Sequence, residues 1–489
     1  MSAVLAIDAG TTGVTALVVD EGGAIVAKGY QEFPQHFPQP GWVEHVPEEI
    51  WQSTLEASRE ALRGVDRGEL RGIGITNQRE TVVLWDRETL GSPRRAIVWQ
   101  DRRTAALCTQ LIEDGHQERV TELTGLRLDP YFSGTKLAWL REHEPHTWAL
   151  VESGRYAVGT VDSYLIARMT RGVHHITDVS NASRTLLFDL AEGDWSDELC
   201  ELFGVPRDAL PEIVPNWGEL AVSDARSFLD LSLPVAGIAG DQQSALFGQT
   251  CFDPGDSKCT YGTGSFVLTN TGSKLERSPD LLTTAAWRSP SGELTYALEG
   301  AIFVTGAAVQ WLRDGLHLVG SAAETQAVAS TVSSSDGVVF VPALTGLGAP
   351  DWDPTARGLI IGLTRGTTRA HIVRATLEAI AFEVRDVLDT MPSVGSSLKV
   401  DGGASANDLL CQLQADQLGI EVARPRYVET TGLGAAFLAG LGTGLWPDQD
   451  ALRDTWALDR SFSPSASRAS ADEAHARWRK AVDRAKSWA

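Results

Sequence analysis

The sequence predicts an α/β protein made of two similar halves, and three observations lead to this fold class. The chain opens as an apolar strand, a Gly-Thr turn and a second strand, and the same pattern returns at residues 257–272. Two later apolar strands, 235–241 and 398–405, end on Asp or Gly and run into segments with helical character. The 489 residues also exceed the roughly 150 expected of one domain. An internal duplication explains all three observations.

The first half reads as a strand meander followed by a helix and a further strand. VLAIDAG, VTALVVD and AIVAKGYQEF are three successive strands separated by Gly-rich turns. Residues 47–63 show helical periodicity with Pro and acids in the first turn, and LRGIGIT returns as a buried strand. GITNQRETVVLWD, residues 74–86, predicts a hairpin with Arg79 and Glu80 at its tip. On local evidence that tip is a solvated turn.

The second half repeats these elements. VAGIAGD (235–241) is a strand that leads into a helix, and residues 257–272 form a hairpin. LKVDGGAS (398–405) is a strand before the helix NDLLCQLQADQLG, and TGLGAAFLAGLG (431–442) predicts a small-residue helix packed closely on a neighbour. Residues 271–295 look rich in loops, and 471–486 predict a surface helix. The turn-rich stretch within 245–255 is the expected domain boundary.

Composition excludes several classes of protein. The net charge of −22 repels nucleic acid and anionic membranes. No apolar run approaches the ~20 residues of a membrane span, and the N-terminus lacks the features of a secretory signal. The five cysteines are odd in number and contain no CxxC pair. They predict buried free thiols, and we expect a cytoplasmic protein.

Two Gly-Thr turns are candidate phosphate sites. DAGTTGVTA (8–16) and YGTGSF (261–266) expose backbone N–H groups and hydroxyls, which together can cradle a phosphate. Asp8, at a strand end, is a candidate Mg²⁺ ligand. Each turn alone could be an ordinary hairpin, but two at the start of two halves favour a triphosphate held between them. The chain contains neither GxxxxGK[ST] nor a GxGxxG after the first strand, which disfavours a P-loop or a dinucleotide site.

Asp241 is the best catalytic candidate in the sequence. A carboxylate at a strand end beside a ligand can accept the proton of a substrate hydroxyl during phosphoryl transfer. The alternative, a helix N-cap, is equally compatible with the local sequence. DGGASAN (401–407) lets backbone approach a base or ribose, although tight strand–helix packing explains the Gly pair as well.

Long strings along nearly the whole chain resemble the FGGY carbohydrate kinases, and most closely the members that phosphorylate glycerol. The strings are PGWVEH, GITNQRE, AIVWQDRRT, TGLRLDPYFSGTK, GTVDSYL, TDVSNASRTLLF, GIAGDQQSALFGQ, YGTGSF, YALEGAIFVTGAAVQWLRDG, VPALTGLGAPDWDPTARG, GLTRGT and VDGGASAND. The resemblance implies an actin-like, ribonuclease H-like fold with domains 1–248 and 249–489 around a central cleft. It implies ATP and Mg²⁺ as co-substrate and cofactor, glycerol as acceptor, and a homodimer or homotetramer.

The resemblance also assigns roles to residues. Asp241 is implied as general base and, with Asp8, as a Mg²⁺ ligand. The implied polyol contacts are Arg79, Glu80, Trp99, Tyr131, Asp241, Gln242 and Phe266. The implied nucleotide contacts are Thr11, Thr12, Gly13, Thr263, Gly306, Gln310, Gly403 and Asn407. We expect Arg79→Ala to raise the glycerol KM while leaving folding nearly intact.

The sequence departs from the family pattern in two places. Thr15 stands where the first hairpin usually carries a basic residue, which predicts weaker ATP binding or slower chemistry. Residues 218–234 are acidic and lack the Gly-rich basic loop that binds a sugar bisphosphate in some relatives, so we expect no such inhibition.

Two other functions are compatible with this pattern. The GVT hairpin suggests a kinase for another polyol or a ketose such as xylulose, although Arg79-Glu80, Trp99 and Tyr131 match the glycerol pattern. A non-catalytic actin-like ATPase shares the implied fold, but the polyol residues and Asp241 argue against it.

Overall fold

The computed structural model describes residues 2–488, which form two large mixed β-sheets with helices packed on and between them. Within these residues, no helix combines the length and the apolar character that crossing a membrane requires. All five cysteines are buried and free, as predicted.

The first sheet has six strands in the spatial order β13-β14-β5-β1-β2-β3. Their bounds are β1 Ala3–Ala9, β2 Gly13–Asp20, β3 Ile25–Glu32, β5 Leu70–Asn77, β13 Trp217–Val222 and β14 Pro234–Gly240. The first three strands form the predicted antiparallel meander, and β5 adds to β1 in parallel. β14 then adds in parallel to β5.

The second sheet has seven strands in the order β17-β18-β16-β15-β21-β22-β23. Their bounds are β15 Ser257–Tyr261, β16 Ser265–Gly272, β17 Leu282–Arg288, β18 Leu294–Ile302, β21 Ser397–Asp401, β22 Glu421–Pro425 and β23 Leu458–Phe462. An antiparallel hairpin, β15–β16, is again followed by two parallel additions, β21 and β22. This order repeats that of the first sheet, so the predicted duplication is present.

Among the described residues, the remaining elements are five two-stranded ladders, sixteen α-helices and three short 3-10 helices, Arg67–Glu69, Arg207–Ala209 and Gly403–Ala406. The ladders are β4 Glu44–His45 with β7 Ala96–Ile97, β6 Val83–Asp86 with β8 Tyr156–Gly159, β9 Ile176–Asp178 with β12 Glu212–Val214, β10 Phe188–Asp189 with β11 Asp194–Trp195, and β19 Val339–Val341 with β20 Leu359–Ile361. The helices of the first half are α1 Pro47–Ala61, α2 Ala105–Glu113, α3 Gln117–Thr124, α4 Ser133–His143, α5 Pro145–Glu152, α6 Val161–Met169, α7 Val179–Ala182, α8 Asp197–Phe203 and α9 Asp241–Gly248. Those of the second half are α10 Gly306–Asp314, α11 Glu324–Ala329, α12 Arg369–Asp389, α13 Asp408–Leu418, α14 Thr430–Thr443, α15 Gln449–Arg453 and α16 Arg468–Ala485.

Helix α14 joins the two halves. It belongs to the second half by sequence but packs on α9 and on strands of the first sheet. Glycines on both sides of this contact make it close: a Cβ added to Gly434 would lie 1.8 Å from the carbonyl oxygen of Ser244, and one added to Gly74 would lie 2.0 Å from that of Ala435. The prediction of a closely packed small-residue helix is confirmed.

One local prediction is wrong, and another is incomplete. Residues 74–86 do not form a hairpin, because β5 is enclosed between β1 and β14 while β6 pairs with β8. The partners of β5 and β6 are distant in sequence, so local turn signals misled this prediction. Residues 271–295 are rich in loops as expected, but they also contain the whole of β17 and the start of β18, which pair with each other.

The C-terminal helix α16 is more than a surface helix. Trp478 is buried against Phe382 of α12, and its indole Nε1 donates to Asp386 at 2.7 Å. The helix therefore completes the core beside the second sheet.

Candidate active site

The β1–β2 turn forms the first predicted phosphate hairpin. The Gly10 amide donates to the Gly13 carbonyl at 3.0 Å, which closes the turn. Thr11 is partly exposed, Thr12 is exposed, and Gly13 is buried at the start of β2. The Thr11 hydroxyl accepts a hydrogen bond from the Trp99 indole at 2.9 Å. The candidate phosphate-binding turn is thus hydrogen-bonded directly to Trp99, one of the implied polyol contacts.

Asp8 and Asp241 lie at the same edge of the first sheet. Asp8 of β1 is in register with Thr76 of β5, and Gly240, which precedes Asp241, is in register with Asn77 of β5. Burial and the neighbouring Asp241 carboxylate raise the pKa of Asp8 to about 7, and Lys28 opposes this rise. Two carboxylates that repel each other favour a bound cation, and Mg²⁺ commonly uses one or two carboxylates. These residues therefore fit a magnesium ion.

Asp241 begins helix α9, whose N-cap residue is Gly240. The capping alternative is not what the structure shows, since the backbone amide that donates to the Asp241 carboxylate is that of the adjacent Gln242, at 2.7 Å, and α9 has no side-chain cap. Its side chain keeps 27% exposure, whereas Arg79 beside it keeps 2%. Burial raises the pKa of Asp241, and the Arg79 guanidinium opposes this. A partly exposed carboxylate of this kind can accept a proton from a bound hydroxyl.

Arg79 and Glu80 follow β5 in a buried turn, so the solvated-tip interpretation is wrong. Glu80 adopts a left-handed backbone conformation, with φ of 63°. The Arg79 Nε lies 3.1 Å from Asp241 Oδ1, and its Nη1 donates to Gln243 Oε1 at 3.1 Å. Arg79 Nη2 reaches the Tyr131 hydroxyl at 3.4 Å. Four of the implied polyol contacts thus converge on one point.

Sequence reasoning missed two charged residues in this cluster, Arg184 and Glu299. Glu299 of β18 accepts from Arg79 Nη1 at 2.6 Å and from Arg184 Nη2 at 2.9 Å. Burial alone would raise the pKa of Glu299, but Arg184 and Arg79 outweigh burial and lower it to about 2. A glutamate inside the apolar strand YALEGAI was the signal that could have revealed it.

Three aromatic rings border the charged cluster. The Trp99 and Tyr131 rings meet edge to face with centroids 5.6 Å apart. The Arg79 guanidinium carbon lies 5.9 Å from the Phe266 ring centroid. Phe266 comes from the second sheet, so the wall is built from both halves. Such rings pack against carbon atoms and exclude water from the site.

Gln242 is held by a buried lysine. Lys258 of β15 is fully buried, and its Nζ donates to Gln242 Oε1 at 2.5 Å and to Thr260 Oγ1 at 2.8 Å. This contact fixes which end of the Gln242 amide carries the oxygen, so its N–H donors and the second lone pair of the oxygen remain for another partner. Lys258 is a third residue that the sequence reasoning missed.

The implied nucleotide contacts of the second half lie near one another. The Gly306 amide at the start of α10 donates to the Gly262 carbonyl at 3.0 Å, and the Ala307 amide donates to the Thr263 carbonyl at 3.0 Å. This places the second phosphate hairpin against the N-terminus of the helix that carries Gln310.

Gly402 and Gly403, the glycine pair after β21, match the two interpretations of the sequence, one glycine for tight packing and one for close approach of a ligand. A Cβ on Gly402 would lie 2.5 Å from the Tyr261 carbonyl oxygen, whereas one on Gly403 would meet nothing within 4 Å. Gly402 therefore serves close packing, and Gly403 leaves open space beside the hairpin. Asn407 caps α13 and donates to Thr325 at 3.1 Å.

The chain is similar to known proteins along nearly its whole length. The model described as "FGGY family of carbohydrate kinases, N-terminal domain" matches residues 3–248, and the corresponding C-terminal domain matches 257–443. The chain is 51% identical to a glycerol kinase of Bdellovibrio bacteriovorus, and the match covers 99% of both chains. It is 50% identical to glycerol kinase 2 of Thermotoga maritima, over 100% of this chain and 99% of that one.

Solved structures give the same result. The crystal structure of Plasmodium falciparum glycerol kinase with ADP superposes with a TM-score of 0.93 at 35% identity, covering 99% of this chain and 98% of that chain. A xylulose kinase from Rhodospirillum rubrum superposes with a TM-score of 0.85 at 25% identity, covering 98% of both. The predicted two-domain α/β fold is confirmed.

Proposed function

Because the chain belongs to the FGGY family of carbohydrate kinases, we propose that it is an ATP-dependent glycerol kinase. It transfers the γ-phosphoryl group of ATP to a terminal hydroxyl of glycerol and forms sn-glycerol 3-phosphate and ADP. The observation that carries the proposal is the convergence of Arg79, Tyr131 and Gln243 beside the partly exposed Asp241. Relatives of about 50% identity over nearly the full chain carry the same name.

The residues suggest how the reaction proceeds. Arg79, Glu80, Tyr131 and Gln242 bind the polyol hydroxyls, and a site built for hydroxyls rejects analogues that lack them. Asp241 accepts the proton of the terminal glycerol hydroxyl that attacks ATP. The oxygen of that hydroxyl forms a bond to the γ-phosphorus, and the bond from the γ-phosphorus to the bridging oxygen breaks, so that this oxygen leaves with ADP. Trp99 and Phe266 pack against the glycerol carbons and keep out water, which would otherwise compete as acceptor.

The nucleotide lies between the two Gly-Thr hairpins in this proposal. Thr11, Thr12 and Gly13 contact the phosphates from the first half, and Thr263 contacts them from the second. Gly306, Gln310, Gly403 and Asn407 surround the ribose and base. Asp8 and Asp241 would hold Mg²⁺, which supplies charge neutralisation on the phosphates when bound.

The proposal extends to the domain division and the setting of the enzyme. We place the boundary between residues 248 and 249, supported by the end of α9 and by the separate matches of the two family models. Five buried free thiols support a reducing, cytoplasmic environment. A homodimer or homotetramer is the expected assembly, and light scattering on the purified chain measures it.

A coupled ADP-release assay with glycerol, dihydroxyacetone and xylulose tests the function. We expect the highest kcat/KM with glycerol, and a loss of about 10²- to 10⁴-fold in kcat for Asp241→Asn, the range typical of a positioned general base. An exposed acid gives the matched control, since Asp114→Asn on the surface after α2 removes one carboxylate elsewhere. A folded protein inactive on all three acceptors refutes the proposal, and a preference for xylulose replaces it with the ketose alternative.

A further inference from the structure

Four buried charges form a closed ring beside the proposed polyol site. Arg79 Nη1 lies 2.6 Å from Glu299 Oε2, and Arg184 Nη2 lies 2.9 Å from Glu299 Oε1. Arg184 Nε lies 2.7 Å from Glu80 Oε1, and Arg79 Nε closes the ring 3.8 Å from the same oxygen. All four side chains are at most 2% exposed. Cations and anions alternate, so the ring as a whole carries no net charge.

The ring joins elements that are far apart in sequence. Arg79 and Glu80 follow β5 of the first sheet, and Arg184 follows the short helix α7. Glu299 comes from β18, in the second sheet, where it is in register with Leu268 of β16 and Leu282 of β17. Two of the proposed polyol contacts of the first half are therefore held in part by a residue of the second half, Arg79 directly and Glu80 through Arg184.

Glu299 occupies the outer nitrogens of the Arg79 guanidinium. Its two oxygens accept from Arg79 Nη1 at 2.6 Å and from Nη2 at 3.1 Å, a bidentate arrangement. Only Nε of Arg79 is then directed at Asp241, at 3.1 Å. Asp241 is consequently not a member of the ring. It lies next to a single nitrogen of the Arg79 guanidinium, whereas Glu299 contacts two.

We propose that Glu299 and Arg184 are positioning residues of the polyol site. Glu299 fixes the orientation of the Arg79 guanidinium, and Arg184 fixes the carboxylate of Glu80. This inference rests on the proposed function and names two residues of the same site that act through Arg79 and Glu80 without touching the reacting atoms.

The charge balance explains why the removal of Glu299 would affect glycerol specifically. Without its carboxylate, Arg79 and Arg184 have Glu80 and Asp241 as their remaining acidic neighbours. A buried charge is costly without a partner of opposite sign, so in the absence of the Glu299 carboxylate the Nη atoms of the Arg79 guanidinium turn towards Asp241. The hydroxyl-binding geometry is then lost, and a doubly paired Asp241 is a weaker base. The nucleotide contacts, which lie at the two Gly-Thr hairpins, are not part of the ring.

Steady-state kinetics of the full-length chain test the inference with Glu299→Gln. The matched control is Glu293→Gln, the same change at an exposed glutamate just before the same strand. We expect Glu299→Gln to raise the glycerol KM by at least about ten-fold and to lower kcat by a similar factor, the scale of loss that misplacement of a binding group produces. The ATP KM of Glu299→Gln and all constants of Glu293→Gln should remain within about two-fold of wild type.

The split between the two KM values separates positioning from a general structural role. A variant that merely folds poorly loses active enzyme, which lowers the apparent kcat and leaves both KM values unchanged. A glycerol KM within about three-fold of wild type therefore overturns the inference, whatever the kcat. If Glu299→Gln does not yield folded protein, Glu299→Asp is measured by the same criterion, because it keeps the charge and shortens its reach.

Failure of the positioning role can be distinguished experimentally from failure of the proposed glycerol kinase function. A wild-type chain that does not phosphorylate glycerol refutes the function itself. A wild-type chain that does so, together with a Glu299 variant of unchanged glycerol KM, refutes only the positioning role. Arg184→Lys supplies an independent check, because it keeps the charge but loses the two-pronged contact with Glu80 and Glu299.

Discussion

Arg79 combines two roles, since it binds within a buried ion network and is a proposed contact of the substrate. Its guanidinium has carboxylate neighbours in Glu80, Asp241 and Glu299. Burial by itself would lower its pKa, but Glu299 and the other acidic neighbours raise the pKa well above the usual value. The residue therefore stays charged. Its removal leaves Glu80 and Glu299 with Arg184 as their remaining arginine and takes the Arg79 ion pair away from Asp241.

The first prediction concerns Arg79→Ala and revises the expectation of intact folding. We expect the glycerol KM to rise by at least about ten-fold and the free energy of unfolding to fall by about 3–5 kcal/mol, the usual cost of breaking a buried ion pair. Urea denaturation and steady-state kinetics measure the two effects. Arg63→Ala, at an exposed arginine after α1, should change neither quantity. An unchanged free energy of unfolding for Arg79→Ala would contradict the buried ion pairs of Arg79 with Glu80, Asp241 and Glu299.

Thr15 gives the second prediction. Thr15 of β2 is in register with Asp8, directly beside the first phosphate hairpin. A basic side chain here adds attraction for the phosphates, so we expect Thr15→Arg to lower the ATP KM by about three- to ten-fold at low ionic strength. Thr109→Arg, at an exposed position of α2, makes the same change of charge elsewhere. If ATP KM and kcat of Thr15→Arg both equal the wild-type values, the missing basic group has no consequence.

His45 gives the third prediction, on acid sensitivity. Burial, with a smaller contribution from His36, lowers the pKa of His45 from 6.5 to about 4. Between these values the unfolded chain binds a proton that the folded chain does not, so the free energy of unfolding falls as pH drops from 6.5 to 4. The loss from this group is at most about 3 kcal/mol, at 1.36 kcal/mol per pKa unit.

Urea denaturation at pH values above and within this window measures the effect. His45→Gln cannot take up the proton, so its stability should fall less on acidification than that of the wild type. His146→Gln, at an exposed histidine of α5, should retain the full wild-type loss. Equal acid sensitivity of all three proteins would show that His45 titrates normally.

At the level of elements, the sequence predicted those strands and helices whose signals are local. The Gly-Thr turns closed β1–β2 and β15–β16 because both strands of each hairpin are adjacent in sequence. The pairing of β5 with β1 and β14, and of β6 with β8, depends on segments up to about 160 residues away, which no local pattern encodes. This is why the stretch 74–86 was wrongly predicted as a hairpin.

Helix α14 gives the fourth prediction. A Cβ at Gly434 would lie 1.8 Å from the Ser244 carbonyl oxygen, which is backbone and cannot move aside easily. At Gly432 the nearest atom is the Leu17 Cδ1, 2.6 Å away, on a flexible side chain. We expect Gly434→Ala to lower the free energy of unfolding by at least about 1–3 kcal/mol, because the clash is with backbone. Gly432→Ala should lower it by less, because the Leu17 side chain can move and alanine has a higher helix propensity than glycine. Thermal denaturation of both variants decides, and equal stabilities contradict the close contact of α14 with α9.

At the level of the whole molecule, the proposed site depends on contacts between the two halves. Glu299, Lys258 and Phe266 come from the second sheet and reach Arg79 and Gln242 of the first half. Asp8 and Asp241 could be recognised in the sequence because each ends an apolar strand. The roles of Arg79 and Glu80 came from the resemblance. Glu299 gave only the weak signal of a glutamate within an apolar strand, and its contacts with Arg79 and Arg184 became visible once the two halves were placed together.

The most direct test of the account is a ³¹P NMR spectrum of the full chain with ATP, Mg²⁺ and glycerol. The account predicts a phosphomonoester signal of sn-glycerol 3-phosphate that grows in step with ADP, and its near disappearance with Asp241→Asn. ADP accompanied by inorganic phosphate alone, or ADP formation that does not need glycerol, would contradict it and identify an ATPase instead of a kinase.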